Sequence, residues 1–181
     1  MLSGCYVQVA KNELENIPEI DICLGTNEKA DIVKYVEEYE KQVKQEKQKK
    51  IKDFWCSNFQ EFYTNSNYNE FGSVTYTEKT RAIIKVQDGC DRFCSYCLIP
   101  YARGGVRSRN PENVIKEIKE IAKLGIKEVV ITGIHVASYG NDFKENYKLI
   151  DLLENINQID EIERIRLRFN RTIINLRKIY K

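Results

Sequence analysis

The sequence predicts an α/β fold whose second half is a parallel sheet with helical crossovers. Three observations carry that expectation. The stretches 82–86 and 128–133 are short and rich in β-branched residues, as strands are, and 163–167 reads as a third strand. Two stretches between them keep apolar residues at helical spacing: Val114, Ile115, Ile118, Ile121, Ala122 and Leu124, then Leu149, Ile150, Leu153 and Ile156. Val129-Val130-Ile131 is apolar on both faces, as a buried parallel strand should be. Strand, helix, strand, helix, strand with such connections implies parallel pairing and right-handed crossovers.

Taken in order, the chain opens as part of an α/β unit. Leu2 precedes a Gly4-Cys5-Tyr6 turn, and residues 20–25 read as a short strand ended by Gly25. Asn27 is the expected N-cap of a helix whose buried face is Ala30, Ile32, Val33, Val36 and Tyr39. From about 41 to 80 no period survives. A lysine-glutamine run passes into an aromatic, asparagine-rich stretch, which reads as a linker with at most one helix carried over. Order returns with the strand at 82–86, followed by a glycine- and cysteine-rich loop from Gln87 to Arg109. Asn110-Pro111-Glu112 then supplies a cap, a proline in the first turn and an acid, and Gly125 stops the helix. A second helix is expected over 147–156.

The composition sets limits. In 181 residues, 42% are hydrophobic, enough for a core, and no run of about 18 apolar residues suggests a membrane span. The N-terminus lacks the basic start and apolar stretch of a signal peptide, which favours the cytoplasm. Six cysteines in a reducing setting point to metal or catalysis before disulfides. The net charge of +2 hides local blocks. Residues 1–40 hold three lysines against nine acids, residues 41–52 six lysines against one acid, and residues 164–181 seven basic residues and no acid. The lysine run is expected to be a solvated helix face; the basic tail can bind RNA by charge or carry no selected role.

The chemistry concentrates at Cys90, Cys94 and Cys97, spaced four and three apart. Zinc usually takes a fourth ligand close by. Cys5 and Cys56 are distant in sequence, and His135 is the single histidine. Three thiolates without a local fourth suit a four-iron cluster with one iron open to a small chelating molecule. They sit directly after the first strand of a βα series, the end where barrel-like α/β folds carry catalytic groups. Zinc and reduced structural cysteines remain as alternatives. Cys23, in an apolar strand, reads as a small buried hydrophobe. Cys56 beside Trp55 reads as incidental, and His135 as a core or hydrogen-bonding residue or a substrate contact. Arg103, Arg107 and Arg109 can bind a carboxylate or phosphates, or lie in a solvated loop.

Residues 85–109, from Lys85-Val86-Gln87-Asp88-Gly89-Cys90 through Ile99-Pro100-Tyr101-Ala102-Arg103-Gly104 to Arg107-Ser108-Arg109, closely resemble the radical S-adenosylmethionine (SAM) methylthiotransferases. Residues 131–140, Ile-Thr-Gly-Ile-His-Val-Ala-Ser-Tyr-Gly, resemble the branch acting on threonylcarbamoyladenosine in tRNA. Gly4-Cys5-Tyr6-Val7-Gln8 resembles the third cysteine motif of the family's N-terminal domain. The resemblance implies a partial radical SAM (β/α) barrel preceded by a partial α/β N-terminal domain. It implies that Cys90, Cys94 and Cys97 hold a 4Fe-4S cluster whose open iron chelates SAM, and that the resulting 5′-deoxyadenosyl radical abstracts hydrogen from the adenine ring. Cys5 would be one of three ligands to a second 4Fe-4S cluster that supplies sulfur. Tyr96 would lie near the SAM adenine, and Thr132 and Gly133 near its amino group. No residue is assigned a catalytic role. The implied partners are the tRNA anticodon loop and an electron donor such as flavodoxin or ferredoxin, with no membrane.

The resemblance covers residues 1–40 and 76–167. The implied domains are 1–42, the C-terminal part of the N-terminal domain; 43–75, a linker; and 76–181, the N-terminal part of the radical SAM core, of which 169–181 does not align. Two upstream cysteines, the remaining barrel strands and an RNA-binding domain lack counterparts. The chain is therefore expected to be a fragment, inactive on its own. Alternatives are a ribosomal-protein or isopentenyladenosine-tRNA methylthiotransferase and, from another class, a zinc-stabilised RNA-binding module.

Overall fold

The computed structural model describes residues 1–45, 53–56, 63, 67–70 and 80–168. Residues 169–181 of the basic tail, residues 46–52 of the lysine run and most of the asparagine-rich stretch lie outside the described residues. The chain divides into two compact units. One comprises residues 1–69 and 92–104, the other 70–91 and 105–181.

In the first unit, β1 (Leu2–Ser3), β2 (Ile22–Leu24) and β3 (Asp53–Trp55) form a parallel sheet with β2 in the middle. Leu2 lies beside Cys23, and Cys23 beside Phe54. All three residues of β2 are buried, the expected result for a central parallel strand. Two short helices, α1 (Cys5–Val9) and α2 (Lys11–Leu14), supply Val7 and Leu14 to a small core with Ile20 and Cys23. Cys23 is fully buried, as a small hydrophobe should be.

A 3-10 turn (Glu28–Asp31) leads into α3 (Ile32–Gln45). Three expectations need correction here. Asn27 is itself helical in backbone and makes no side-chain cap bond. Ala30 and Val33 are exposed, Val33 at 68%, because the 3-10 start advances the phase of the helix; Ile32, Tyr35, Val36 and Tyr39 are half-buried instead. The stretch read as a linker contains β3. Three residues are too few to show a period, and their pairing with β2 comes from tertiary contact, with the Trp55 ring 5.0 Å from that of Tyr35.

In the second unit, four strands lie in the order β5-β4-β6-β7: β4 (Arg81–Asp88), β5 (Arg107–Ser108), β6 (Glu128–Gly133) and β7 (Arg164–Arg168). β4, β6 and β7 pair in parallel, as predicted, and the two-residue β5 returns antiparallel to the end of β4. Ala82, Ile84 and Val86 of β4 point to the same side as Val129 and Ile131 of β6, their register partners or neighbours. Helices α5 (Pro111–Lys123) and α6 (Leu149–Asn157) cover that side with Val114, Ile118, Ile121, Leu152, Leu153 and Ile156. Asn110 caps α5, its Oδ1 accepting from the Glu112 amide at 2.8 Å. Gly125 ends the helix at φ +83, a backbone that side chains resist. The second helix begins at Leu149, two residues later than expected, because Asp151 reaches back to the Lys148 amide at 2.6 Å. Among the described residues no helix is long and apolar enough to cross a membrane.

Fully buried Ile118 and the solvated cap Asn110 test how the second unit is held. Ile118→Ala should cost about 3 kcal/mol by leaving a cavity, and Asn110→Ala about 1 kcal/mol. Urea denaturation measures both, and an equal or reversed ranking would contradict this packing.

Candidate cluster and cofactor site

β4 and β6 are parallel, so their C-terminal ends lie at the same edge of the second unit. Register runs from Arg81 beside Glu128 to Lys85 beside Thr132, then shifts so that Gln87 meets Gly133. This irregularity leaves Val86 and Gln87, neighbours in sequence, both fully buried. The chain then turns. The Gly89 amide donates to Asp88 Oδ1 at 2.9 Å, Lys85 Nζ donates to Asp88 Oδ2 at 2.5 Å, and Gly89 takes φ +70. Cys90, half-buried, follows at once.

The next residues, 92–104, belong to the first unit. Cys94 is exposed and Cys97 half-buried, and the Cys97 amide donates to the Cys94 carbonyl at 2.9 Å, folding the two into one turn. Phe93 adopts φ +43, the non-glycine residue with a left-handed backbone among those described. Its ring is 5.6 Å from Tyr63 and 5.7 Å from Tyr101, which keeps a bulky side chain in that conformation. Tyr96 is 80% exposed. After Cys97 the chain forms a helix, α4 (Ile99–Arg103), inside what the sequence suggested was loop. Five residues are too few for a periodic signal. α4 packs on α1, whose first residue is Cys5, and the Thr26 hydroxyl donates to the Ala102 carbonyl at 2.6 Å. Cys5 itself is half-buried. In the second unit the base of the excursion is closed by β5 and by Asp91, whose Oδ1 accepts from the Val106 amide at 3.0 Å.

Among the described residues, no three metal-ligating side chains converge as a single ion requires. The donors nevertheless fit an iron–sulfur cluster in kind: three soft thiols within eight residues, on backbone shaped by Gly89 and Phe93. Thr132 is half-buried on β6, beside Lys85 and beside Arg168. At Gly133 a Cβ would come within 2.8 Å of Gln87 Oε1 and 3.0 Å of the Gln87 carbonyl oxygen. A side chain at position 133 would thus crowd Gln87 whatever else approaches it.

His135 is 7% exposed; its amide donates to Gln87 Oε1 at 2.8 Å and its Nδ1 pairs with the Ser138 hydroxyl. The hydrogen-bonding role expected for it is observed. Arg109 is buried between Glu117 and Glu70, its Nε 2.6 Å from Glu70. Burial opposes its charge, and the two carboxylates outweigh that and raise its pKa. Its carbonyl accepts from the Tyr139 hydroxyl at 2.7 Å. Arg107 is also buried, 3.8 Å from Asp88. Neither lies in a solvated loop. The residue that sequence reasoning missed is Gln87. Its only signal was a long amide between a β-branched run and an Asp-Gly turn.

The signature of the Radical SAM superfamily matches residues 84–181, more than half the chain, and the chain belongs to that superfamily. Within it, the chain is 36% identical over 167 residues to the threonylcarbamoyladenosine tRNA methylthiotransferase MtaB of Bacillus subtilis, covering 92% of this chain and 35% of that protein. It is 37% identical to the ribosomal protein uS12 methylthiotransferase RimO of Clostridium novyi, covering 91% and 35%. It is 36% identical to the tRNA-2-methylthio-N(6)-dimethylallyladenosine synthase of Desulforamulus reducens, covering 90% and 34%. The chain spans about a third of the length of these curated relatives.

Cys56 offers a chemical check on the first unit. Burial, with Glu28 adding to it, pushes its thiol from an ordinary value near 9 up to about 11. The folded chain therefore disfavours the thiolate. Stability from this group is full below pH 9 and is lost as pH rises towards 11. Alkylation of Cys56, followed by peptide mass spectrometry, should have its pH midpoint near 11, and a midpoint at 9 would contradict this burial.

Proposed function

We propose that the chain is part of a cytoplasmic methylthiotransferase and carries its SAM-cluster loop. Cys90, Cys94 and Cys97 hold a 4Fe-4S cluster through three thiolates, which leaves one iron for SAM. The observation that carries this reading is the three-cysteine loop leaving the C-terminal end of β4, at the same edge as the end of β6. When bound, the cluster and SAM supply radical chemistry, and the protein's part is to bind, orient and shield them. In this reading Tyr96 lies against the SAM adenine, and Thr132 and Gly133 end the strand beside its amino group.

Cys5 contributes to a second 4Fe-4S cluster. The substrate is threonylcarbamoyladenosine beside the tRNA anticodon, supported by the resemblance of residues 131–140 and by the similarity to the B. subtilis protein. A flavodoxin- or ferredoxin-type donor supplies electrons. Because the match covers 35% of that relative, the 181 residues are not expected to complete the transfer alone. The similarity to the uS12 enzyme, equally extensive, supports a ribosomal-protein substrate as the second reading.

Anaerobic reconstitution tests the cluster. The chain should turn brown with broad absorption near about 400 nm and take up iron and sulfide in equal amounts. Cys90→Ala, Cys94→Ala and Cys97→Ala should each abolish the colour, and Cys5→Ala should leave it. One zinc per colourless chain would contradict the proposal and favour an RNA-binding module. Incubation with a threonylcarbamoyladenosine-containing anticodon stem-loop should give no methylthio product; product from the isolated chain would contradict its incompleteness.

A further inference from the structure

We infer that Gln87 is a positioning residue that couples the cysteine loop to the end of β6, so that Cys90 and the Gly133–His135 segment hold their geometry together. This rests on the cluster reading above for its purpose but not for its geometry. The Gln87 side chain is fully buried. Its Nε2 donates to two successive carbonyls, Asp88 at 2.6 Å and Gly89 at 2.8 Å, immediately before Cys90. Its Oε1 accepts from the His135 amide at 2.8 Å. A carboxamide is the side-chain group of this length that both donates twice and accepts. A carboxylate would repel the two carbonyls, and an apolar side chain would leave two carbonyls and an amide without these bonds.

The backbone is built around this residue. The register shift between Lys85 and Gln87 turns the side chain inward rather than along the alternation of β4. Gly133, the register partner of Gln87, has no Cβ to collide with it. The turn has a second brace in Asp88, held by Lys85 and the Gly89 amide. Asp88 also lies 3.8 Å from Arg107, its partner on β5, so that brace ties the turn to the neighbouring strand. The bonds of Gln87 join the turn to His135, nearly fifty positions away. A buried residue with all its bonds spent on backbone, at the junction of two loops, shapes the site without touching what binds there.

The test uses the full 181-residue chain and three variants: Gln87→Met, which keeps size and removes the bonds; Gln87→Glu, which keeps the acceptor; and Gly133→Ala, which crowds Gln87 from the other strand. In the metal-free chain, the rate of Cys90 alkylation should rise about tenfold in each. Exchange of the His135 amide should rise in parallel, and Cys23 should remain unreactive as the measure of a folded chain. In the reconstituted chain, the same variants should lose iron to a chelator faster while their melting temperatures stay within a few degrees of wild type. Unchanged Cys90 alkylation and His135 exchange in variants with protected Cys23 would overturn the coupling. A faster rate in Gln87→Met but not in Gly133→Ala would reduce Gln87 to a local brace and overturn it equally. If Gln87→Met exposes Cys23, the decision passes to Gly133→Ala. Failure of the wild-type chain to take up iron would refute the cluster reading and leave the alkylation and exchange results to judge Gln87.

Discussion

The pairing of β4 with β6, from Arg81 beside Glu128 to Gln87 beside Gly133, is the constraint on which the rest of the second unit depends. Parallel strands end at the same edge, and a crossover helix must join them. The edge therefore collects the Gly89–Cys90 turn from β4 and the Gly133–His135 segment from β6. The crossover, α5, is buried through Val114, Ile118 and Ile121 against the helix-facing side of both strands. If β6 slipped by one residue against β4, Ile131 would leave the core and Gln87 would no longer meet Gly133.

The two faces of this sheet differ, and β7 shows how. Ile165 and Leu167 pack against the core, whereas Arg164 and Arg166 lie on the other face, both paired with Glu128 at 3.2 and 2.7 Å. The arginines are more than half exposed, so these pairs add little stability. They do mark the register, since Glu128 is the partner of Arg164 in the pairing. The alternation Arg-Ile-Arg-Leu-Arg is the signature of a strand with one buried face rather than two.

Much of this was legible in the sequence because long periodic segments declare themselves. The strands at β4, β6 and β7 and the capped helix α5 lie within a few residues of where pattern and capping signals put them. The cysteine spacing was plain, and so was the burial of Cys23. Short elements were not legible. β3, β5 and α4 have two to five residues and are fixed by partners elsewhere: β2, β4 and α1. Long-range polar pairings were equally hidden. Arg109 meets Glu70 across 39 positions, so an arginine that could have faced solvent or an anion is instead an internal ion pair. Gln87 was read as loop because one polar residue at a strand end carries no periodic signal, and its burial depends on an irregularity that only the pairing reveals.

The proposed function turns on one claim: the Cys90–Cys97 loop supplies three thiolates and no more to a four-iron cluster, and the fourth iron is open to SAM. Mössbauer spectroscopy of the chain reconstituted with 57Fe addresses this most directly. The account predicts a four-iron spectrum in which SAM shifts the signal of one iron and leaves the other three unchanged. Four equivalent irons indifferent to SAM, or an iron-free protein that binds zinc, would contradict it.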